Sequence, residues 1–358
     1  MEPLRAGDPR QVGVYQLLNR LGDGGMGQVF LGVSPGGRPV AVKVIRAEFS
    51  ADPEFRRRFA REVEAARSVG GFHTAPVVDA DPHDDPPWMV TAYIAGPSLQ
   101  AVVTDGGPLS PADVSRLGAA LTEGLAAIHG SGLVHRDLKP ANIIMAGDGP
   151  RIIDFGVAQS ASATSLTTPG TVIGTCSYMS PEQVRASNAT PESDVFSLGC
   201  VLAYAATGRA PFDAPTVPAI MYRVLNEQPD LGDLPPGVLR DALAACLDKD
   251  PGRRPLLPDL LNRFTVGFPN PLAPVVAENR MEGTPAERDS DHGLGAVVHG
   301  AVIPDVVAAG VVEPGAEVRA EQVPAEQPEN VIIRQQANAA PGSVVIQLAG
   351  NAKIRDDS

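Results

Sequence analysis

The run His135-Arg136-Asp137-Leu138-Lys139-Pro140-Ala141-Asn142, with Asp154-Phe155-Gly156 after it, constrains this chain more than any other feature. Asp137 and Asn142 stand five residues apart, and Asp154 follows Asn142 by twelve. This order suits chemistry that needs one carboxylate beside a hydroxyl and two oxygen or amide ligands on a hard cation. Mg²⁺ prefers oxygen donors and keeps substrate phosphates in its shell. A lone Asp or Asn in a loop is more often a turn residue or a cap; the ordered set is what distinguishes these.

A second feature lies upstream. Leu21-Gly22-Asp23-Gly24-Gly25-Met26-Gly27-Gln28-Val29 contains G-x-G-x-x-G-x-V. Dinucleotide-binding folds also use G-x-G-x-x-G, but they need a helix after the glycines and an acidic residue about 20 positions on. Here a strand-like run follows (residues 29–33), then a Pro35-Gly36-Gly37 turn, then Pro39-Val40-Ala41-Val42-Lys43-Val44. The glycines therefore join two antiparallel strands and form a flap. Without a Cβ the flap can bring its N–H groups close to phosphate oxygens.

Together these stretches resemble the eukaryotic-type (Hanks-type) protein kinases, and in particular bacterial serine/threonine kinases. That family reads H-R-D-L-x-x-x-N, then D-F-G, then A-P-E. All of it is present except that Ser180-Pro181-Glu182 stands for A-P-E. The resemblance covers about residues 12–266. It implies an α+β, two-lobed protein kinase fold: a small antiparallel β lobe with one helix over 12–94, and a larger, mostly helical lobe over 95–266. It also implies ATP and Mg²⁺, with Mn²⁺ as a substitute, and a non-specific serine/threonine protein kinase activity on protein substrates.

The resemblance assigns roles residue by residue. Asp137 would take the hydroxyl proton and Lys139 would neutralise the γ-phosphoryl oxygens, a lysine typical of serine/threonine-specific members. Asn142 and Asp154 would hold the metal. Lys43, in V-A-V-K, would pair with the phosphates and be oriented by Glu62. Leu21, Gly22, Asp23, Gly24, Gly25, Met26, Gly27, Val29, Ala41, Ala92, Ile94 and Ile144 would surround the nucleotide, with Thr91 behind the adenine. Thr175 would steady Asp137 and Lys139. Thr167, Thr168 and Thr171 are the phosphoacceptor candidates for autophosphorylation in a segment crowded with hydroxyls, and Arg136 is the residue that would grip them once phosphorylated. Glu182 would pair with Arg254, and Asp194 would hold the backbone of the catalytic loop.

Local patterns place these motifs. Asp52-Pro53 opens a helix whose buried face is Phe55, Phe59, Val63 and Ala66. The arginines Arg56, Arg57, Arg58 and Arg61 form a solvated face. Short strands are expected at 75–79 and 88–92. Ser110-Pro111 starts a second helix with Val114, Leu117, Leu121, Leu125 and Ile128 on one side, stopped by Gly130 and Gly132. His135 and Phe155 belong to the core, and residues 1–11 read as a polar leader.

Composition narrows the rest. The formal net charge is −13, which argues against nucleic acid or an anionic membrane as partner, since either needs a basic patch. No apolar run approaches the roughly 18 residues of a membrane span, and Met1-Glu2-Pro3-Leu4 lacks a signal pattern, so the expected compartment is the cytoplasm. Cys176, Cys200 and Cys246 are too widely spaced for a metal site or a disulfide framework. Arginine has displaced lysine almost throughout: only Lys43, Lys139, Lys249 and Lys353 remain. Lysine is a compact point charge and arginine a planar fork, so lysine kept at 43 and 139 points to a required ammonium. This usage, rich in Ala, Gly and Pro, looks like that of a high-GC bacterium such as an actinobacterium.

Beyond 266 the pattern changes. Residues 267–329 read as a disordered linker. Residues 330–354 hold two β-prone runs, Asn330-Val331-Ile332-Ile333-Arg334 and Ser343-Val344-Val345-Ile346-Gln347-Leu348, which fit either a docked strand or a strand seeking self-association or an effector. The alternative to an enzyme is a pseudokinase scaffold or a signalling adaptor acting through this segment. Such scaffolds usually lack the lysine or one of the two aspartates, whereas Lys43, Asp137 and Asp154 are all present.

Overall fold

The computed structural model describes residues 1–155 and 176–266. Thr167, Thr168, Thr171 and Thr175, the 267–329 linker and the 330–354 segment lie outside the described residues.

The first lobe is a twisted antiparallel sheet with one long helix. Its strands are β1 (Glu2–Pro3), β2 (Gln11–Val12), β3 (Tyr15–Asp23), β4 (Gly27–Val33) and β5 (Pro39–Ile45), then β6 (Val77–Asp81) and β7 (Trp88–Ala92) after helices α1 (Ala47–Ser50) and α2 (Pro53–Arg67). The order across the sheet is β1-β3-β4-β5-β7-β6, and β2 also pairs with β3. Alternation along the strands gives the sheet two apolar faces. Phe30, Val42, Val44, Trp88 and Val90 form one cluster. Ile45 and Met89 face the other way, against Phe55, Phe59, Val63 and Ala66 of α2. These four are the residues that the periodicity predicts, and Asp52 caps α2 by accepting from the Glu54 N–H at 2.8 Å.

Two expectations need correction. Residues 1–11 are not a free leader: Glu2 and Pro3 pair with Arg20 and Asn19, and Gln11 and Val12 pair with Gln16 and Tyr15. Pairing gives the exposed edge of β3 the hydrogen-bond partners it would otherwise lack. The strand expected at 75–79 runs instead over Val77–Asp81. Pro76 has no N–H to donate to a ladder; only its carbonyl is used, accepting from the Ala92 N–H at 3.0 Å.

The second lobe contains α3 (Leu99–Gly106), α4 (Pro111–Gly130), a hairpin of β8 (Ile143–Ala146) and β9 (Gly149–Ile152), then α5 (Pro181–Val184), α6 (Pro191–Thr207), α7 (Val217–Asn226), α8 (Val238–Cys246) and α9 (Leu257–Thr265). Ser110 caps α4, and Val114, Leu117, Leu121, Leu125 and Ile128 are buried along it. The helix α6 is buried nearly all round. At Gly199 it passes so close to α8 that an added Cβ would lie 2.8 Å from the Cys246 Cβ. Cys176, Cys200 and Cys246 are buried free thiols, and burial pushes all three upward, Cys246 to about 12. Among the described residues, no helix is long and apolar enough to cross a membrane.

One ion pair locks the second lobe as expected. Arg254 donates from Nη1 to Glu182 Oε1 at 2.7 Å and from Nη2 to Oε2 at 2.9 Å. Its remaining donors reach the Glu192 carbonyl at 2.8 Å and the Asp248 carbonyl at 2.9 Å. Ser193 Oγ donates to the same Glu182 carboxylate at 2.6 Å. Burial alone would raise the Glu182 carboxyl, but the Arg254 and Ser193 hydrogen bonds prevail and hold it at about 2.

Removing Arg254 strands that carboxylate. Arg254→Met should therefore cost about 3–5 kcal/mol in urea unfolding. A carboxylate held below its ordinary value stabilises the fold fully above the unfolded-state value and loses that contribution as pH falls through the folded one. For Glu182 the window runs from about 4.5 down to about 2. Wild-type stability should fall more steeply across it than that of an E182Q/R254M double variant.

Candidate functional site

Backbone geometry sets the 135–142 stretch. Arg136 and Asp154 both have left-handed φ values, 65° and 58°. Non-glycine residues hold this conformation only where their surroundings enforce it. At Arg136 the enforcing group is Asp194, which is fully buried at the start of α6. Its Oδ2 accepts from the His135 N–H at 2.7 Å and its Oδ1 from the Arg136 N–H at 2.8 Å. His129, at the end of α4, donates from Nε2 to the same carboxylate at 2.7 Å. Gln183 adds a second grip, donating from Nε2 to the Arg136 carbonyl at 2.8 Å.

His135 is fully buried. Its Nδ1 accepts from the Asp137 N–H at 3.2 Å, so Nε2 carries the proton and donates to the Ile153 carbonyl at 3.3 Å. Desolvation lowers its pKa and keeps it neutral. Phe155 packs edge-on against it, with ring centroids 6.5 Å apart. Both residues are core, as their sequence context implies.

The acidic and amide residues converge. Lys139 Nζ donates to Asp137 Oδ2 at 2.8 Å. Asn142 sits in a tight turn (Pro140–Asn142) and donates from Nδ2 to the Asp137 carbonyl at 2.9 Å and to Asp137 Oδ2 at 3.3 Å. The Ile153 N–H donates to the Asn142 carbonyl at 2.9 Å, which brings Asp154 beside this loop. Lys43 reaches across from β5 and pairs with Asp154. Burial would raise the Asp154 carboxyl, yet the charge and hydrogen bond of Lys43 outweigh it and hold it below the ordinary range. Asn142 and Asp154 together offer hard oxygen donors. No cluster of three or more His, Cys, Asp or Glu ligands occurs among the described residues. Two protein ligands fit Mg²⁺, which is usually held by one or two carboxylates plus phosphates.

The expected partner of Lys43 is corrected. Glu62 pairs with Arg136, its Oε1 accepting from Nη1 at 2.6 Å, while Lys43 takes Asp154. The guanidinium is delivered to α2 by the left-handed turn at 136, and it can offer a carboxylate a fork of several donors. Asp154 is the nearer anion for the ammonium of Lys43.

Residues expected around the nucleotide fall on β3, β4, β5, β7, the β7–α3 connection and β8. Ala41 and Lys43 lie two apart on β5 and so share a face, and Val29 stands opposite Lys43 on β4. Leu21, Val29, Ala41 and Ile144 are apolar but only half-buried. Ala92 ends β7, and Ile94 lies in the connection to α3. Ile144 is brought beside that connection by its bridge to Ser98 and by the Met145 N–H, which donates to the Pro97 carbonyl at 2.8 Å. Met26 is partly buried against the core. In the flap, a Cβ on Gly22 or Gly25 would meet nothing within 4 Å, whereas one on Gly27 would lie 2.4 Å from the Val44 carbonyl. A cavity of about 710 Å³ elsewhere in this lobe is lined by Asp8, Gln28, Arg46 and Val44 among others. None of Lys43, Asp137, Lys139, Asn142 or Asp154 lines this cavity.

The sequence reading missed Gln183, His129, Asp8, Arg20 and Arg46. Gln183 was within reach: S-x-x-Q at 180–183 is a capping box, and Ser180 and Gln183 form one. The serine that departs from A-P-E is therefore the cap of α5.

The protein kinase domain family matches residues 15–264, and the chain belongs to it. Its relatives within that family include bacterial serine/threonine kinases, several of them from actinobacteria. The chain is 59% identical over 265 residues to the probable serine/threonine-protein kinase PkwA of Thermomonospora curvata, a match covering 74% of this chain and 36% of that protein. It is 49% identical over 251 residues to serine/threonine-protein kinase AfsK of Streptomyces griseus, covering 70% of this chain and 31% of the relative. The chain thus spans about a third of the length of these relatives. Among solved structures, the Mycobacterium tuberculosis PknI kinase domain superposes with a TM-score of 0.54 at 25% identity, covering 73% of this chain and 99% of that one.

The two glycine environments make opposite predictions for the flap. Gly27→Ala must push β4 from β5 and should cost about 1–3 kcal/mol, read by thermal unfolding. Gly25→Ala should leave the melting temperature essentially unchanged.

Proposed function

We propose that the protein is a serine/threonine protein kinase that transfers the γ-phosphoryl group of ATP to serine and threonine hydroxyls of proteins. One observation carries the reading: Lys139 and Asn142 both bond Asp137, and Lys43 of the first lobe pairs with Asp154, whose neighbour Ile153 is bonded to Asn142. Phosphoryl transfer asks a protein mainly for positioning and electrostatic stabilisation, which is what this group supplies.

In this reading Asp137 accepts the proton of the incoming hydroxyl and aims its oxygen. Lys139, already 2.8 Å from Asp137, neutralises charge building on the transferred group. Asn142 and Asp154 hold Mg²⁺, with Mn²⁺ able to replace it. When bound, the metal neutralises phosphate charge. Lys43 keeps the Asp154 carboxyl ionised and ready to ligate. Flap N–H groups from 22–27 face the phosphates, and Leu21, Val29, Ala41 and Ile144 enclose the base, with Ala92 and Ile94 at its edge. Thr175 steadies Asp137 and Lys139, and Thr167, Thr168 and Thr171 are the autophosphorylation sites. The site of action is the cytoplasm, where residues 330–354 serve self-association or effector recruitment.

The test is transfer from γ-labelled ATP with Mg²⁺. Asp137→Asn should lower turnover by roughly 10²–10⁴-fold, and mapped label should fall on Thr167, Thr168 or Thr171. Label only at Ser110 or beyond 266 would overturn autophosphorylation of that segment. No transfer by folded, nucleotide-binding wild-type protein would replace the enzyme with a scaffold.

A further inference from the structure

The glycine flap carries an acidic residue, Asp23, between its first two glycines. A carboxylate beside a triphosphate would repel it unless neutralised. Here two arginines hold Asp23. Arg20 donates from Nη1 to Asp23 Oδ2 at 3.1 Å, and Arg46 pairs with Oδ1. Arg46 also reaches the Gly24 carbonyl at 3.3 Å, and its own N–H donates to the Met26 carbonyl at 3.0 Å. Both limbs of the flap are thus tied to Arg46 at its base, one through the side chain and one through the backbone N–H.

Arg20 is in turn fixed from outside the flap. Its side chain is 7% exposed and pairs with Asp8, whose side chain is 3% exposed. The Arg20 Nε–H donates to Asp8 Oδ2 at 2.7 Å, and Nη2 donates to Oδ1. Such two-point contacts fix the angle of a guanidinium as well as its position. Asp8 is locked by its own turn: it accepts from the Arg5 N–H at 2.7 Å, and its N–H donates to the Arg5 carbonyl at 3.0 Å. The result is a chain of alternating charges, Asp8–Arg20–Asp23–Arg46, from the N-terminal turn to the flap. Its first member lies outside residues 15–264, the part that matches the kinase family.

We infer that Asp8 is a positioning residue for nucleotide binding: through Arg20 it fixes Asp23 and so sets the height of the glycine flap above the phosphates. Asp8 touches neither nucleotide nor reacting atoms. It acts on ATP affinity, while Asp137, Lys139 and Asn142 in the other lobe keep their geometry. The inference rests on the kinase reading above.

The experiment uses the full chain, with MgATP kinetics, titration of fluorescent mant-ATP with Mg²⁺, and thermal unfolding. Asp8→Asn should raise KM for ATP and the mant-ATP Kd about five- to ten-fold, with kcat at saturating ATP changed by less than about two-fold. Asp8→Glu should recover part of the loss. Asp23→Asn separates the explanations by sign: the clamp predicts weaker ATP binding, whereas bare charge repulsion predicts tighter binding. In the Asp23→Asn background, Asp8→Asn should have little further effect, since the two act along one chain. Unchanged ATP affinity with reduced active protein would make Asp8 merely structural and overturn the inference. Tighter binding by Asp23→Asn would overturn it even if Asp8→Asn did not fold. Wild-type protein that binds no mant-ATP would remove the kinase reading itself, a result distinct from either.

Discussion

The structure depends on a buried carboxylate. Asp194 is fully enclosed, and an unpaired charge there would be prohibitive. Three donors compensate it: two consecutive backbone N–H groups of the catalytic loop and the His129 ring. The exchange runs both ways. The helix α6 can bury its polar first turn only because the loop supplies donors, and the loop can hold Arg136 at positive φ only because a fixed carboxylate accepts them. Asp137 follows directly, with its N–H bonded to His135. Catalytic geometry and core packing of the second lobe are therefore one construction, and Gln183, bonded to the Arg136 carbonyl, extends it to α5.

Charge pairing across the lobes is the more adjustable layer. Lys43 sits on Asp154 and Glu62 on Arg136. These side chains are 12–34% exposed, far more than Asp194 at 1%. Partly solvated pairs exchange partners at lower cost than a buried one, because water screens the intermediate charges. The buried Asp194 contacts cannot rearrange without stranding a charge.

Much of the fold was legible because local and global signals agree. The buried faces of α2 and α4 follow from three- and four-residue spacing, their caps from Asp52 and Ser110, and the Glu182–Arg254 pair from family order. Lys249 also escapes replacement, and its ammonium sits 3.8 Å from the centre of the Phe212 ring while donating to the Val224 carbonyl at 2.7 Å. Burial lowers it to about 8. A compact cation fills that space; nothing in the sequence near 249 announces the ring.

By itself the sequence determined the order of the motifs along the chain and much of the secondary structure that holds them. These depend on short-range periodicity, turn residues and motif spacing, which any reader of the chain can see. Tertiary structure alone decided the partners: Glu62 with Arg136, Lys43 with Asp154, His129 with Asp194, and Asp8 with Arg20. Side-chain hydrogen bonds join residues 12–111 positions apart in these four cases. Which of several nearby opposite charges a side chain takes is settled by backbone angles and by the few ångströms between competing groups.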